Sequence, residues 1–171
     1  MTRAFLDVLD ELRVPATFFL VGRQCEREPE LIREYLKRGH QVANHGYDHT
    51  RFTALDSAAL REQLRRADAA LGAQPTRAWV RPPYGDLSAR VLVQLLAQDR
   101  MIALWSLDPE DYHLHDPAEL AARCAPSVVK PGEVILLHEG QRWTLDALPG
   151  IVSALRDAGY EMVTMAEMFA A

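Results

Sequence analysis

Short apolar runs that alternate with amphipathic stretches constrain this chain more than any single residue does. The runs cover residues 16–21, 41–44, 78–80, 101–107, 133–137 and 160–164. Each is bounded by turn-forming residues and most are too short for a buried helix, so they read as strands. Between them, residues 30–38, 58–71, 88–98, 117–125 and 145–158 carry a helical pattern, and Gly39, Gly72 and Gly159 close three of these segments. Strand and helix in alternation call for a parallel sheet, and six such units suit either an open doubly wound sheet or a (β/α) barrel. No Gly-x-Gly-x-x-Gly or Walker pattern follows any run, which favours the barrel.

Composition narrows the class further. With 171 residues, 49% of them hydrophobic, and no Gly/Ser-rich or repetitive stretch, residues 1–171 are expected to form one domain with a buried core. The net charge of -5, with acidic and basic residues interspersed, makes neither nucleic acid nor an anionic membrane an expected partner. No run approaches membrane-spanning length, and the opening Met1-Thr2-Arg3-Ala4-Phe5-Leu6 lacks the basic-then-apolar order of an export signal. Cys25 and Cys124 form no Cys-x-x-Cys pattern, which argues for ordinary packed residues, a single disulfide being the alternative.

Polar residues fall where such a fold does chemistry. His45, Arg81, Asp108 and His138 each lie at or just after the end of a different run, and in a parallel barrel those ends share one face. His45 and His49, four apart in Asn44-His45-Gly46-Tyr47-Asp48-His49, can turn two imidazoles toward one divalent cation. Gly46 excludes the His-Glu-x-x-His zinc-protease pattern, and a solvated loop is the plainer alternative. Arg81-Pro82-Pro83-Tyr84-Gly85 is a stiff turn: Arg81 can clamp a carboxylate, and backbone N–H groups near Tyr84 can meet a developing oxyanion. Asp108 either caps the turn before Pro109 or lies against His138 and stabilises its protonated form, making a general acid. Leu136 would line a small dry pocket suited to an acetyl methyl. His113 and His115 read as solvated, and His40 as packing or capping.

These residues resemble a known family, the polysaccharide deacetylases, or NodB homology domain, of carbohydrate esterase family 4. The likeness runs from Ala16-Thr17-Phe18-Phe19 through Gly39-His40-Gln41-Val42-Ala43-Asn44-His45 to Leu155-Arg156-Asp157-Ala158-Gly159-Tyr160. His45 and His49 match the metal-binding His-x-x-x-His motif, with Gly46 in place of Ser or Thr. Arg81-Pro82-Pro83-Tyr84 matches Arg-x-Pro-Tyr; Asp108 to Asp111 matches Asp-x-x-Asp-Trp, with Tyr112 for the tryptophan; and Leu136-Leu137-His138 matches Leu-x-His.

The resemblance implies an α/β fold, a distorted (β/α) barrel, and metal-dependent removal of acetyl groups from an N-acetylated, or secondarily O-acetylated, carbohydrate polymer. It assigns His45 and His49 to a divalent metal, zinc first, His138 to the general acid and Arg81 to tethering the base. The family's first motif, a strand ending in Thr-Phe-Asp-Asp-Gly that supplies the base and a third metal ligand, has no counterpart here. The expectation is therefore an incomplete barrel without its first strand, from a sequence truncated at its amino end, with residues 1–12 forming the helix after that strand. The alternative is a degenerate, non-catalytic carbohydrate-binding or interaction domain. The presence of Arg81, Asp108 and His138 together favours the first.

Overall fold

The computed structural model describes residues 1–72 and 78–170. In chain order its helices are α1 (Thr2–Leu12), α2 (Gly22–Arg27), α3 (Pro29–Lys37), α4 (Ser57–Leu71), α5 (Ala89–Leu96), α6 (Pro117–Arg123), α7 (Arg142–Asp157) and α8 (Met165–Met168). Its strands are β1 (Thr17–Leu20), β2 (Gln41–Asn44), β3 (Trp79–Val80) and β4 (Met101–Ile102). By contact the chain divides into two compact units. We term the one made of residues 16–104 and 164–169 the sheet unit, and the one made of residues 1–15 and 105–163 the helical unit.

In the sheet unit the four strands are parallel in the order β1-β2-β3-β4, the α/β arrangement that the alternation predicts. Thr17 pairs with Gln41 and Leu20 with Asn44, while Asn44 also pairs with Val80. This register sets the residues that follow β2 and β3, His45 and Arg81, at neighbouring strand ends. Behind them α4 buries Leu60, Leu64, Ala67 and Leu71, spaced as one helical face, and Asp56 caps it by accepting the Ala59 N–H at 2.8 Å. Leu60 and Leu64 join Phe52, Val80, Val91 and Leu95 in one fully buried cluster. Each such side chain contributes roughly 1.5–3 kcal/mol on burial.

The helical unit packs α6 against α7 through Leu120, Cys124, Ala147, Ile151 and Leu155. α1 also packs on α7, and its buried residues are Phe5, Leu6 and Leu9. Residues 133–137 do not form the full strand that their apolar character predicts. Ser106 and Leu107 donate to the Val134 carbonyl at 3.1 and 3.2 Å, Leu136 donates to Leu107 at 2.9 Å, and the pairing is a single parallel bridge, Leu107 with Ile135. Pro109, which has no N–H to offer, follows within two residues, and Pro131-Gly132 stands just ahead of the partner segment.

Residues 160–164 form no strand either. Thr164 starts α8 instead, in a capping box: its hydroxyl accepts the Glu167 N–H and the Glu167 carboxylate accepts the Thr164 N–H. The next two N–H groups of α8, those of Met165 and Ala166, are taken by Thr17 Oγ1 and Gln41 Oε1, each at 2.9 Å.

Gly22 opens α2 where that helix meets α4. A Cβ at this position would lie 2.7 Å from the Ala67 Cα, a backbone atom that cannot step aside cheaply. Gly22→Ala is expected to lower stability by about 1–3 kcal/mol, read as a fall in the thermal midpoint of roughly 2–12 °C. An unchanged midpoint would show that α2 does not depend on this close approach.

Cys25 and Cys124 are both free and buried, as packed residues should be. Burial pushes each thiol up to about 11. Near pH 8 the thiolate fraction is then on the order of 10⁻³, so neither should react appreciably with a disulfide reagent until the protein unfolds, when both should. Prompt reaction of the native protein would contradict this packing.

Candidate functional site

The loop from Asn44 to His49 is shaped chiefly by hydrogen bonds to its own backbone. Asn44 is fully buried: its Nδ2 donates to the Leu64 carbonyl at 3.1 Å and to Asp68 Oδ1 at 2.7 Å, and its Oδ1 accepts the Gly46 N–H at 2.8 Å. Gly46 sits at φ +76, and a Cβ on it would lie 3.1 Å from the Phe52 ring, so both conformation and space call for glycine where the family motif has Ser or Thr. The Gly46 and Tyr47 carbonyls accept the first two N–H groups of α2, from Gly22 at 2.9 Å and Arg23 at 2.8 Å. Gln63 Oε1 takes the Tyr47 and Asp48 amides at 2.9 and 3.2 Å.

Two imidazoles come out of this frame side by side. The His45 and His49 ring centroids are 4.9 Å apart with their planes at 69°, and Tyr84 stands edge-on to His49 at 4.6 Å. His45 Nδ1 lies 2.7 Å from the Arg81 carbonyl oxygen. A carbonyl can only accept, so in the neutral ring the proton is on Nδ1 and the lone pair on Nε2, the state in which a histidine ligates a metal. Two adjacent imidazoles, one of them with its tautomer set by a carbonyl, are a donor chemistry that a divalent cation fits. Among the described residues no group of three or more His, Cys, Asp or Glu is placed to hold a metal ion.

Arg81 is buried at the end of β3. Its guanidinium donates to the Ala103 carbonyl at 3.2 Å and the Leu104 carbonyl at 3.0 Å, and its Cζ lies 4.1 Å from the Phe19 ring centre. Burial pulls this guanidinium down to about 10, so it stays protonated at neutral pH. Tyr84 is in the left-handed region at φ 61, as is His49 at φ 67. For residues with a Cβ each such conformation costs roughly 1–2 kcal/mol, and strain of this kind collects where geometry is held for a purpose. Tyr84 is 57% exposed, and its ring lies under Arg51, whose Cζ is 4.2 Å from the ring centre.

The helical unit carries the second set of residues. The expectation that Asp108 lies against His138 is corrected: Asp108 Oδ1 instead accepts the Glu110 N–H at 2.9 Å, the ordinary work of an aspartate before proline. Asp111 takes the place beside the imidazole, with Oδ1 2.6 Å from His138 Nδ1 and Oδ2 2.6 Å from the His138 N–H. Asp111 is fully buried while the His138 side chain is 44% exposed, so the carboxylate anchors Nδ1 and the outer part of the ring reaches solvent. The Asp108 charge, ahead of burial, Glu110 and Asp111, pushes the Tyr112 phenol up, and the Tyr112 ring stands edge-on to His138 at 5.4 Å. Leu136 is buried, its amide bound to the Leu107 carbonyl.

The remaining histidines fall as their surroundings suggest. His113 and His115 are exposed and rest on Tyr112 and Trp143. His40 is buried edge-on to Phe18, with Nδ1 accepting the Ala16 N–H at 3.2 Å. Burial pushes the Asp48 carboxyl up, but hydrogen bonds from Thr50 and Gln63 and the charge of Arg23 outweigh it and hold it below the usual carboxylate range. Two residues with a part in the site, Asn44 and Thr144, give no signal by themselves in the sequence. Asp111 does give one, because Asp-Pro at 108 and 109 points to a turn that occupies Asp108 and leaves the next aspartate, Asp111, for His138.

Residues 1–101 match the polysaccharide deacetylase family model. The chain is 31% identical over 98% of its length to the peptidoglycan-N-acetylmuramic acid deacetylase PdaC of Bacillus subtilis, of whose length it spans only 35%. It is 31% identical over 94% of its length to the chitooligosaccharide deacetylase of Rhizobium leguminosarum bv. trifolii, spanning 82% of that protein. Among solved structures, the T48 deacetylase with substrate superposes with a TM-score of 0.90 at 32% identity, covering 99% of this chain and 84% of that one. BA3943 of Bacillus anthracis, a CE4 family pseudoenzyme, superposes with a TM-score of 0.89 at 25% identity, covering 97% and 59%. With the family model matched over more than half its residues, and with a relative at this identity covered over four-fifths of its length, the chain belongs to the polysaccharide deacetylase family.

Proposed function

We propose that this protein is a metal-dependent deacetylase of an N-acetylated carbohydrate polymer or oligomer, with O-acetyl groups a secondary target. The observation that carries this reading is the His45 and His49 pair, presented at a strand end with the His45 tautomer fixed by the Arg81 carbonyl. Family membership and the names of the relatives, which concern peptidoglycan and chitooligosaccharides, support the substrate class. A divalent ion bound there, zinc on the chemistry of the two imidazoles, would supply Lewis-acid polarisation of the acetyl carbonyl and a more acidic water.

The chain's own residues take the remaining roles. His138 gives a proton from Nε2 to the departing amine nitrogen, and Asp111 holds the opposite ring nitrogen and balances the charge. The Tyr84 backbone N–H is a donor for the oxyanion that forms on the acetyl oxygen. Leu136 excludes water from the acetyl methyl. Arg81, whose guanidinium is ordered by the Ala103 and Leu104 carbonyls, is the residue that would tether a base; that base is the carboxylate of the family's first motif, which has no counterpart in residues 1–171. Asp108 leaves the set of reacting residues and serves the turn that carries Asp111.

A second reading, a carbohydrate-binding or interaction domain without turnover, is favoured by the two-imidazole donor set and by the pseudoenzyme among the structural relatives. Acetate release from N-acetylglucosamine oligomers, measured with added zinc or cobalt, separates the two. The 171-residue polypeptide is expected to release acetate slowly, and a form carrying a strand that ends in Thr-Phe-Asp-Asp-Gly ahead of Met1 to release it at least about 10²-fold faster, the scale of general acid–base catalysis alone. Oligomer binding with no acetate release in either form would decide for the second reading.

Zinc titration by calorimetry tests the metal assignment. His45→Ala and His49→Ala should each weaken binding at least about tenfold, since each removes one of two ligands, while His138→Ala leaves it unchanged. Binding that survives both of the first two substitutions would put the metal elsewhere.

A further inference from the structure

Thr144 has a bond that neither helix formation nor packing asks of it. It is the third residue of α7 and is fully buried. A threonine inside a helix usually turns its hydroxyl back to the carbonyl three or four residues earlier. Here Oγ1 donates across 33 positions to Asp111 Oδ2 at 2.9 Å. The preceding residue acts on the same aspartate, the Trp143 indole N–H donating to the Asp111 main-chain carbonyl. Two consecutive residues at the start of α7 thus grip Asp111 at its backbone and its side chain, where the positive end of a 16-residue helix also favours a carboxylate.

We propose that Thr144 is a positioning residue for His138: by pinning one oxygen of Asp111 it keeps the other on the imidazole Nδ1. A carboxylate torsion is broad and nearly two-fold, so little intrinsic stiffness holds Oδ1 on the ring. The stiffness comes from donors. Oδ2 accepts two, the His138 N–H at 2.6 Å and the Thr144 hydroxyl at 2.9 Å, from different directions, while Oδ1 faces Nδ1 at 2.6 Å. Removing the hydroxyl leaves Oδ2 on the His138 amide alone. The carboxylate can then swing so that one oxygen serves both His138 groups, and its hold on the ring proton loosens. In Thr144→Val, which fills the same space, the buried carboxylate also loses a neutral donor.

The catalytic consequence of this inference rests on the deacetylase reading, whereas its structural core does not, so the test has two arms. In the first, the full chain with ¹⁵N-labelled histidine is compared with Thr144→Val, which keeps the shape, Thr144→Ala, and Thr144→Ser, which keeps the hydroxyl. Long-range ¹H–¹⁵N spectra at alkaline pH, where imidazoles are neutral, read the tautomer of His138 directly. The unsubstituted protein and Thr144→Ser should carry the proton on Nδ1, and Thr144→Val and Thr144→Ala should show a mixture. Identical tautomer populations in all four, or an Nε2 proton in the unsubstituted protein, would overturn the proposal. The Ala variant keeps this arm decisive should the Val variant fail to fold.

In the second arm, on the form with measurable acetate release, kcat should fall about ten- to a hundredfold in the Val and Ala variants, the scale of a lost hydrogen bond to a charged group. KM should stay within about twofold, and the Ser variant should recover most of the rate. A change confined to KM, or to the thermal midpoint, would show Thr144 to be structural only. Absence of acetate release from every form would count against the deacetylase reading, while the tautomer populations would still decide the role of Thr144.

Discussion

The buried carboxamide of Asn44 ties several parts of the sheet unit together. Its Nδ2 reaches α4 twice, at the Leu64 carbonyl and at Asp68, its Oδ1 takes the Gly46 N–H, and its main-chain carbonyl takes the Arg81 N–H at 3.0 Å. One residue therefore links the helix behind the sheet, the turn that carries the histidine pair and the start of the Arg81 turn. The link is stiff because Asn44 has no exposed surface, so each of these bonds would be costly to leave unmade. Asp68 is itself held by Arg100 just before β4, which carries the same network across the neighbouring strands. An apolar residue of similar volume would keep the packing but leave the Gly46 amide and the Leu64 carbonyl without this partner.

The two units solve the same chemical problem in different ways. In the sheet unit the His45 ring is oriented by a main-chain carbonyl, which fixes the tautomer without adding charge. In the helical unit the His138 ring is oriented by a buried carboxylate, which fixes the same nitrogen and also balances a positive ring. A neutral ring suits a ligand and a chargeable ring suits a proton carrier, so the kind of partner matches the two proposed roles.

How much of this is legible in the sequence depends on the range of the interactions involved. α4 and α7 are readable because their apolar periodicity, with Gly72 and Gly159 beyond them, is a local signal that packing does not override. His45 and Arg81, at the ends of β2 and β3, are readable because a change from apolar to polar marks where a strand stops, whereas Asp108 and His138 follow segments joined only by a single bridge. Residues 133–137 and 160–164 look like strands by the same rule, yet a strand needs a partner over several residues, and partnership is not written locally. In the first case the pairing shrinks to one bridge, and in the second a capping box takes the chain into α8. Asp108 misleads for a related reason. Which of two aspartates three residues apart meets His138 depends on how the intervening turn folds, and Glu110, at φ 59, turns Asp111 inward.

The junction of α2 with the histidine turn has a thermodynamic consequence of its own. The first two N–H groups of α2 end on the carbonyls of Gly46 and Tyr47, the residues just after His45. The start of that helix, pressed on α4 at Gly22, and the spacing of the two imidazoles are thus parts of one cooperative element. If the proposed pair holds a cation, then by linkage whatever strengthens the packing of α2 on α4 preorganises chelation, and the cation returns the same free energy as slower fraying of α2. Amide hydrogen exchange at Gly22 and Arg23 would then report on metal occupancy from outside the coordination sphere.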